Sequence, residues 1–206
     1  MPKQLQVGDP APAIELHDQE GELRTLADHR GTWVLVYFYP KDDTPGCTVE
    51  ACTLRDASAD FAKLGIAVLG ISADTTASHR KFADKFGLPF KLLADEDKRT
   101  IRAYGSWGKK KFMGREFDGI LRRSILVDPE GRIARIYPKV SPAEHAEEVL
   151  ADVRSAQGAP KQPAIAKDAV KGTVRPAKRA AKKAEKPKSV KAKSAKSAAR
   201  KSKTKR

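Results

Sequence analysis

The seven residues Trp33-Val-Leu-Val-Tyr-Phe-Tyr39 constrain this chain more than any other stretch. Successive side chains of a strand point to opposite faces. A strand that is apolar at nearly every position must therefore be covered on both sides, as a central strand is when helices pack on two faces of a sheet. A second run, Ile66-Ala-Val-Leu-Gly-Ile-Ser72, reads the same way. Between the two runs the pattern predicts a helix from about Pro45 to Leu64. Val49, Cys52, Leu54, Phe61 and Leu64 form a rough apolar stripe, and Gly65 is the stop.

The flanking segments extend this reading. Ala13-Ile-Glu-Leu-His17 alternates, Asp18-Gln-Glu-Gly21 supplies a turn, and Leu23-Arg-Thr-Leu26 returns, which predicts an N-terminal hairpin. A helix opens after Asp74, carries Phe82 and Phe86 on one face, and ends at Gly87 before Pro89. Phe90 to Ala94 reads as a short strand and Asp95 to Ala103 as a short helix. Ser106 to Gly119 reads as a Gly-rich loop, and Leu121 to Val127 with Arg132 to Tyr137 as a hairpin. Ser141 with Glu144 has the form of a capping box for a last helix through about Val153. Strands alternating with helices and closed by a hairpin predict an α/β sandwich around a mixed sheet.

Charge divides the chain. Residues 157–206 hold 14 Lys and 4 Arg against Asp168 and Glu185, whereas 1–156 carries 23 basic and 24 acidic side chains. The whole net charge of +15 therefore resides in the C-terminal segment. That segment has no aromatic residue and is built of Lys, Ala, Ser and Pro, so it cannot bury enough apolar area to offset its ordering entropy. The expected division is a folded domain over 1–156 and a disordered basic tail over 157–206. Without aromatics the tail cannot stack on bases, so any contact with DNA would be non-specific neutralisation of phosphate. Anionic membrane surfaces, acidic proteins and a passive solubilising role are the rival readings. No apolar run approaches the ~18 residues of a membrane span, and the first residues lack the apolar core of a signal peptide. A cytoplasmic protein, able to associate with the nucleoid through its tail, is the expectation.

Cys47 and Cys52 are the two cysteines, both just after the first apolar run. In a reducing compartment such a pair serves redox or metal chemistry more often than a static disulfide. Four scattered histidines, His17, His29, His79 and His145, complete no zinc pattern, and no metal or cofactor is expected. Thr44-Pro45-Gly46-Cys47 reads as a helix start, with Thr44 as N-cap and Pro45 at the first helical position. A cysteine in a first turn meets unpaired N–H groups and the positive end of the helix dipole, conditions that favour the thiolate. Cys52, five residues on, would stand ~8–9 Å from Cys47 between Cα atoms on a regular helix, beyond the roughly 7 Å reach of a disulfide. A bond between them requires the helix to unwind. The bland alternative is that both are small buried apolar residues.

These residues carry a resemblance. Pro40-x-x-x-Thr44-x-x-Cys47 resembles the active-site signature of peroxiredoxins. Tyr37-Phe-Tyr-Pro-Lys41, Thr44-Pro-Gly-Cys-Thr48, Ala51-Cys52, Leu92-Leu-Ala-Asp-Glu-Asp97, Trp107-Gly, Phe112-Met-Gly and Gly119-Ile-x-Arg122 resemble the bacterioferritin comigratory protein (peroxiredoxin Q) subfamily over about residues 4–156. The resemblance implies a thioredoxin-like fold and the reduction of hydroperoxides. It implies Cys47 as the peroxidatic cysteine and Thr44 as a hydrogen-bonding partner of peroxide and thiolate. Arg122 would be the cation at the reacting sulfur, and Pro40 a shield from bulk water. Glu50 would orient the arginine, and Cys52 would resolve the sulfenic acid as an intramolecular disulfide. The implied partners are hydroperoxide substrates and thioredoxin or a similar dithiol, and the implied state is a monomer.

Three points stay open in the residues themselves. Arg122 and Arg123 would face opposite ways on a strand, and the alignment on Gly119-Ile-x-Arg selects Arg122. Asp42 and Asp43 read most simply as exposed loop acids, and Trp107 and Phe112 as packing residues near the site. A dithiol transferase is the competing enzyme class. Its usual Cys-x-x-Cys spacing is absent, and a nucleic-acid-binding protein with an inert body is the third reading.

Overall fold

The computed structural model describes residues 4–112 and 114–158. They belong to one compact unit. The expected disordered tail over 157–206 lies outside the described residues except for Gln157 and Gly158, as does Met113.

The chain builds a hairpin of β1 (Glu15–Asp18) and β2 (Leu23–Thr25), a 3₁₀ turn at Leu26–His29, then β3 (Trp33–Phe38). Helices α1 (Pro45–Asp56) and α2 (Ser58–Lys63) lead to β4 (Ile66–Ser72), α3 (Thr76–Phe86), β5 (Lys91–Ala94) and α4 (Arg99–Ala103). A hairpin of β6 (Trp107–Phe112) and β7 (Arg115–Ile120) precedes β8 (Arg123–Val127), β9 (Ile133–Tyr137) and α5 (His145–Ala156). Seven strands form one mixed sheet in the order β2-β1-β5-β4-β3-β8-β9, with β6 and β7 apart as a two-stranded ribbon. Strands β3, β4 and β5 are parallel, and the pairs toward both edges are antiparallel. This is the thioredoxin-like sheet that the resemblance implied.

The alternation along β3 sorts its side chains onto two cores. Leu35, Tyr37 and Tyr39 join Val68 and Leu92 beneath Cys47, Ala51 and Leu54 of α1, Phe82 of α3 and Val149 and Val153 of α5. Val34, Val36 and Phe38 join Leu69, Ile71, Leu93 and Ile125 on the other face, against Ile14, Ile101 and Tyr104. Gly70 in β4 has a packing reason. A Cβ there would lie 2.6 Å from the hydroxyl of Tyr37, its partner across the ladder, so the missing side chain makes room for that ring.

Several expectations are corrected. The helix predicted over Pro45–Leu64 is two helices, divided at Ala57, whose ψ of 2° opens the turn. Its buried face is Cys47, Glu50, Ala51 and Leu54, while Val49 is 46% exposed. The expected stripe holds at Leu54 and Phe61 but misses at Val49, because a buried glutamate, Glu50, occupies a position that periodicity assigns to an apolar residue. The expected Gly-rich loop over Ser106–Gly119 is the β6–β7 hairpin, with Trp107 opposite Ile120 and Lys110 opposite Phe117. The last helix begins at His145, not at Ser141. The Ser141 carbonyl instead closes a turn with the N–H groups of Glu144 and His145, and no side chain caps the helix.

Candidate active site

The buried strand β3 delivers the chain to the start of α1. Thr44 holds extended backbone angles (φ −96°, ψ 149°), Pro45 fills the first helical position, and the Thr48 N–H closes the first turn on the Thr44 carbonyl at 2.8 Å. The N-cap expectation for Thr44 holds for its backbone and fails for its hydroxyl. Oγ1 donates to the Lys41 carbonyl at 3.1 Å, and no side chain caps the first-turn N–H groups. Those donors and the dipole are left to whatever stands at the helix start.

Cys47 is in that first turn, 2% exposed. Arg122, in the two-residue link between β7 and β8, reaches it from the other side of the site. Its Nη2 donates to Cys47 Sγ at 3.2 Å, and its Nη1 donates to Glu50 Oε2. A Cβ on Gly46 would lie 3.3 Å from Arg122 Nη2, so a bare backbone at that position lets the guanidinium lie over the helix start. Burial opposes the Arg122 charge, but Glu50 and Cys47 outweigh it and raise its pKa. Burial pushes Glu50 up to about 7 against the pull of Arg122, and its second oxygen has no partner among the described residues. Arg123 points away and donates to the Gly105 carbonyl at 3.1 Å, so of the two adjacent arginines it is Arg122 that contacts Cys47. Pro40 is half-buried at the bend after β3. Cys52 is half-buried and both cysteines are free thiols; since α1 is helical through both, the geometry in which they cannot bond is the one present. Trp107 packs into the second core under the Arg102 guanidinium, 4.9 Å from its ring centre.

The sequence reading missed a polar cluster behind the site. Asp42, expected as an exposed acid, is 7% exposed. It accepts from Tyr39 Oη (2.7 Å), Ser78 Oγ (2.7 Å) and His79 Nδ1 (2.9 Å), and its own N–H donates to Asp74 (2.9 Å). Burial works to raise the Asp42 carboxyl, but these bonds outweigh it and hold it below the ordinary carboxylate range. The available signal was His79, which stands with Phe82, Ala83 and Phe86 at helical spacing; a histidine on an apolar stripe needs a buried partner. Asp43 fits the exposed reading and pairs with Lys85 at 2.6 Å. At the far end of α1, Arg55 Nη1 donates to the Phe86 carbonyl at 2.7 Å. Helix α3 thus holds the residues just before α1 and the last turn of α1. Among the described residues no cluster of His, Cys, Asp and Glu could hold a metal ion, and no helix is long and apolar enough to cross a membrane.

A buried thiol facing a guanidinium at the uncapped start of a helix, on a thioredoxin-like sheet, is the equipment of a thiol-based oxidoreductase. The AhpC/TSA family model matches residues 7–136. Peroxiredoxin Bcp of Escherichia coli K12 is 47% identical over 146 residues, which cover 71% of this chain and 94% of the relative. Peroxiredoxin Bcp of Bacillus subtilis is 42% identical over 146 residues, 71% of this chain and 93% of the relative. Among solved structures, the Xanthomonas campestris bacterioferritin comigratory protein, studied for alkyl peroxide reduction, aligns with a TM-score of 0.68 at 36% identity, covering 74% of this chain and 97% of its own. Peroxiredoxin Q of Xylella fastidiosa gives 0.71 at 30% identity, covering 75% and 99%. The chain belongs to the AhpC/TSA family and is a peroxiredoxin enzyme of the Bcp type.

Proposed function

We propose that the chain reduces hydrogen peroxide and organic hydroperoxides to water and alcohols at Cys47. The observation that carries this reading is the 3.2 Å contact from Arg122 Nη2 to Cys47 Sγ at a helix start that no side chain caps. The thiolate attacks one peroxide oxygen and the O–O bond breaks. The sulfur keeps that oxygen as a sulfenic acid, and the other leaves as water or alcohol after taking a proton. Charge growing on the leaving oxygen is stabilised by Arg122 and the first-turn N–H groups. Glu50 holds the guanidinium in place. The Thr44 hydroxyl, close to the helix start, turns from the Lys41 carbonyl to the peroxide. Pro40 shields the site.

Cys52 then attacks the sulfenic sulfur and releases water, once α1 has unwound enough to bring the sulfurs together. An external dithiol, thioredoxin or a similar protein, reduces the disulfide and returns both thiols. Stopped-flow oxidation by peroxide, followed by mass mapping, tests the scheme. The expected product is one Cys47–Cys52 bridge per consumed peroxide; a Cys47 sulfenic acid that persists with Cys52 still free would overturn the resolving role.

A cytoplasmic, monomeric enzyme is part of this proposal. The basic segment 157–206 is suited to holding such an enzyme near phosphate backbones, where peroxide damage to DNA arises. Retention on duplex DNA at low salt should be lost on truncation at Gln157, and equal retention would remove that role.

A further inference from the structure

We infer that Lys110 is a positioning residue for the peroxidatic centre, supplying a second cation to it and fixing the link that carries Arg122. This rests on the proposed role of Cys47. The β6–β7 hairpin stands apart from the main sheet, and its C-terminal strand runs directly into Arg122. Lys110, in β6, turns its stem across that strand. A Cβ on Gly119 would lie 3.1 Å from Lys110 Cδ and 3.5 Å from the Phe117 ring, so the glycine opens the channel through which the stem passes. The ammonium ends on the Ile120 carbonyl at 2.7 Å, two residues before Arg122. Ile120 is itself anchored, 5% exposed in the second core, and the Leu121 N–H donates to the Ser106 carbonyl at 2.7 Å. The link is therefore held by core packing, by a backbone bond and by one lysine.

The charge of Lys110 needs its own explanation. Its neighbours in the hairpin pair across the ribbon or face water; Lys109, for example, lies 3.9 Å from Asp118. Lys110 is half-buried, and among the described residues no carboxylate lies within ion-pair distance of it. Burial and then Arg122 lower its pKa, and the sulfur of Cys47 is the neighbour that raises it. Lys110 and Arg122 disfavour each other unless an anion joins them. Glu50, bonded to Arg122 and pushed up to about 7 by burial, is the other titrating group beside them. The anion that acts on Lys110 is the Cys47 sulfur, and after it the oxygen that leaves the peroxide.

The test uses the full chain carrying Cys52→Ser, so that a single thiol reports. In that background Lys110→Met keeps the stem and removes the charge, Lys110→Gln keeps a donor without charge, and Lys110→Arg keeps both. The readout is the second-order rate of oxidation by hydrogen peroxide from pH 5 to 9. The expected result for Lys110→Met and Lys110→Gln is an acid limb moved to higher pH by about half a unit or more. The rate at neutral pH falls roughly 3- to 10-fold and recovers at high pH, and Lys110→Arg restores the parent profile. A Gln variant with the parent profile would limit the side chain to holding the Ile120 carbonyl and overturn the inference. A Met variant slowed equally at every pH would overturn it as well, because lost packing does not move a titration limb.

Discussion

Helices α1 and α3 begin alike and serve opposite ends. Each follows a parallel strand, and each has an extended threonine at its N-cap, Thr44 or Thr75. The third helical residue is Cys47 in one and Ser78 in the other. In α3 the Thr75 hydroxyl accepts from the Ser78 N–H at 3.3 Å, the Ser78 hydroxyl donates to Asp42, and Gly87 ends the helix in the left-handed region at φ 60°. Every device there stabilises the helix. In α1 the threonine hydroxyl turns back to Lys41, the first-turn donors have no side-chain cap, and the third residue faces a guanidinium. A helix start whose local bonds are closed is scaffold, and one whose bonds are withheld keeps its N–H groups available to an anion.

The hardest test of this contrast moves the thiol. Cys47→Ser should abolish peroxide turnover, and adding Ser78→Cys should not restore it. The helix position is equivalent, but the new thiol meets the Asp42 carboxylate instead of a cation; any peroxide-driven oxidation of a dithiol by the double variant would break the comparison. Arg122→Met should lower the rate with peroxide by about 10²- to 10³-fold, in the range of other lost transition-state donors. Arg123→Met should leave that rate near the parent's, as stopped-flow traces would show.

A third test sets the satisfied cluster at Asp42 against an unsatisfied neighbour. His145 is fully buried at the start of α5, packed edge-on against Tyr137 (5.1 Å), with no hydrogen bond to either ring nitrogen among the described residues; Glu148 lies 3.7 Å from Nδ1. Burial pushes its pKa down to about 4. The unfolded chain takes up that proton near pH 6.5 and the folded chain only near 4. The stability contributed by the neutral ring is therefore complete above about 6.5 and is lost as pH falls toward 4. The loss amounts to about 3 kcal/mol at its fullest. Urea midpoints measured across that window should fall in the parent and fall less in His145→Leu.

The smallest effects separate the two threonines. Thr44→Val should cost roughly tenfold in peroxide rate, the worth of one hydrogen bond in a transition state, with little change in melting. Thr75→Ala should cost about 1 kcal/mol of stability and leave the rate alone, so that equal losses in both assays would dissolve the distinction.

What the sequence made legible follows from how local each signal is. Strands β3 and β4 were readable because burial on both faces writes an unbroken apolar run. Cys47 was readable because Pro45 and Gly46 mark a helix start beside it. The β6–β7 ribbon was not, since Gly-Lys-Lys-Lys has neither alternation nor β-branched residues and its pairing comes from the partner strand. Asp42 was misjudged because its fate depends on His79, 37 residues away. Glu50 was placed by resemblance while its burial was not. Nothing local announces that a carboxylate will face the core, and only Arg122, 72 residues on, makes it tolerable.

The ties from α3 to the residues before α1 and to its last turn have a kinetic consequence. Asp42 and Asp43 are held to Ser78, His79 and Lys85, and Arg55 is held to Phe86, so melting of α1 releases only a short moored length of chain. Such a segment needs no search to find its way home. Loops of about ten residues close in roughly 10–100 ns, and helices of this size relax in about a microsecond. Typical enzymes turn over on the order of ten times per second. Once released, so short a segment re-forms far faster than an enzyme turns over. In the proposed scheme the time to resolve an oxidised sulfur then follows the fraction of time α1 is open, a quantity that the moorings on α3 tune without touching either cysteine.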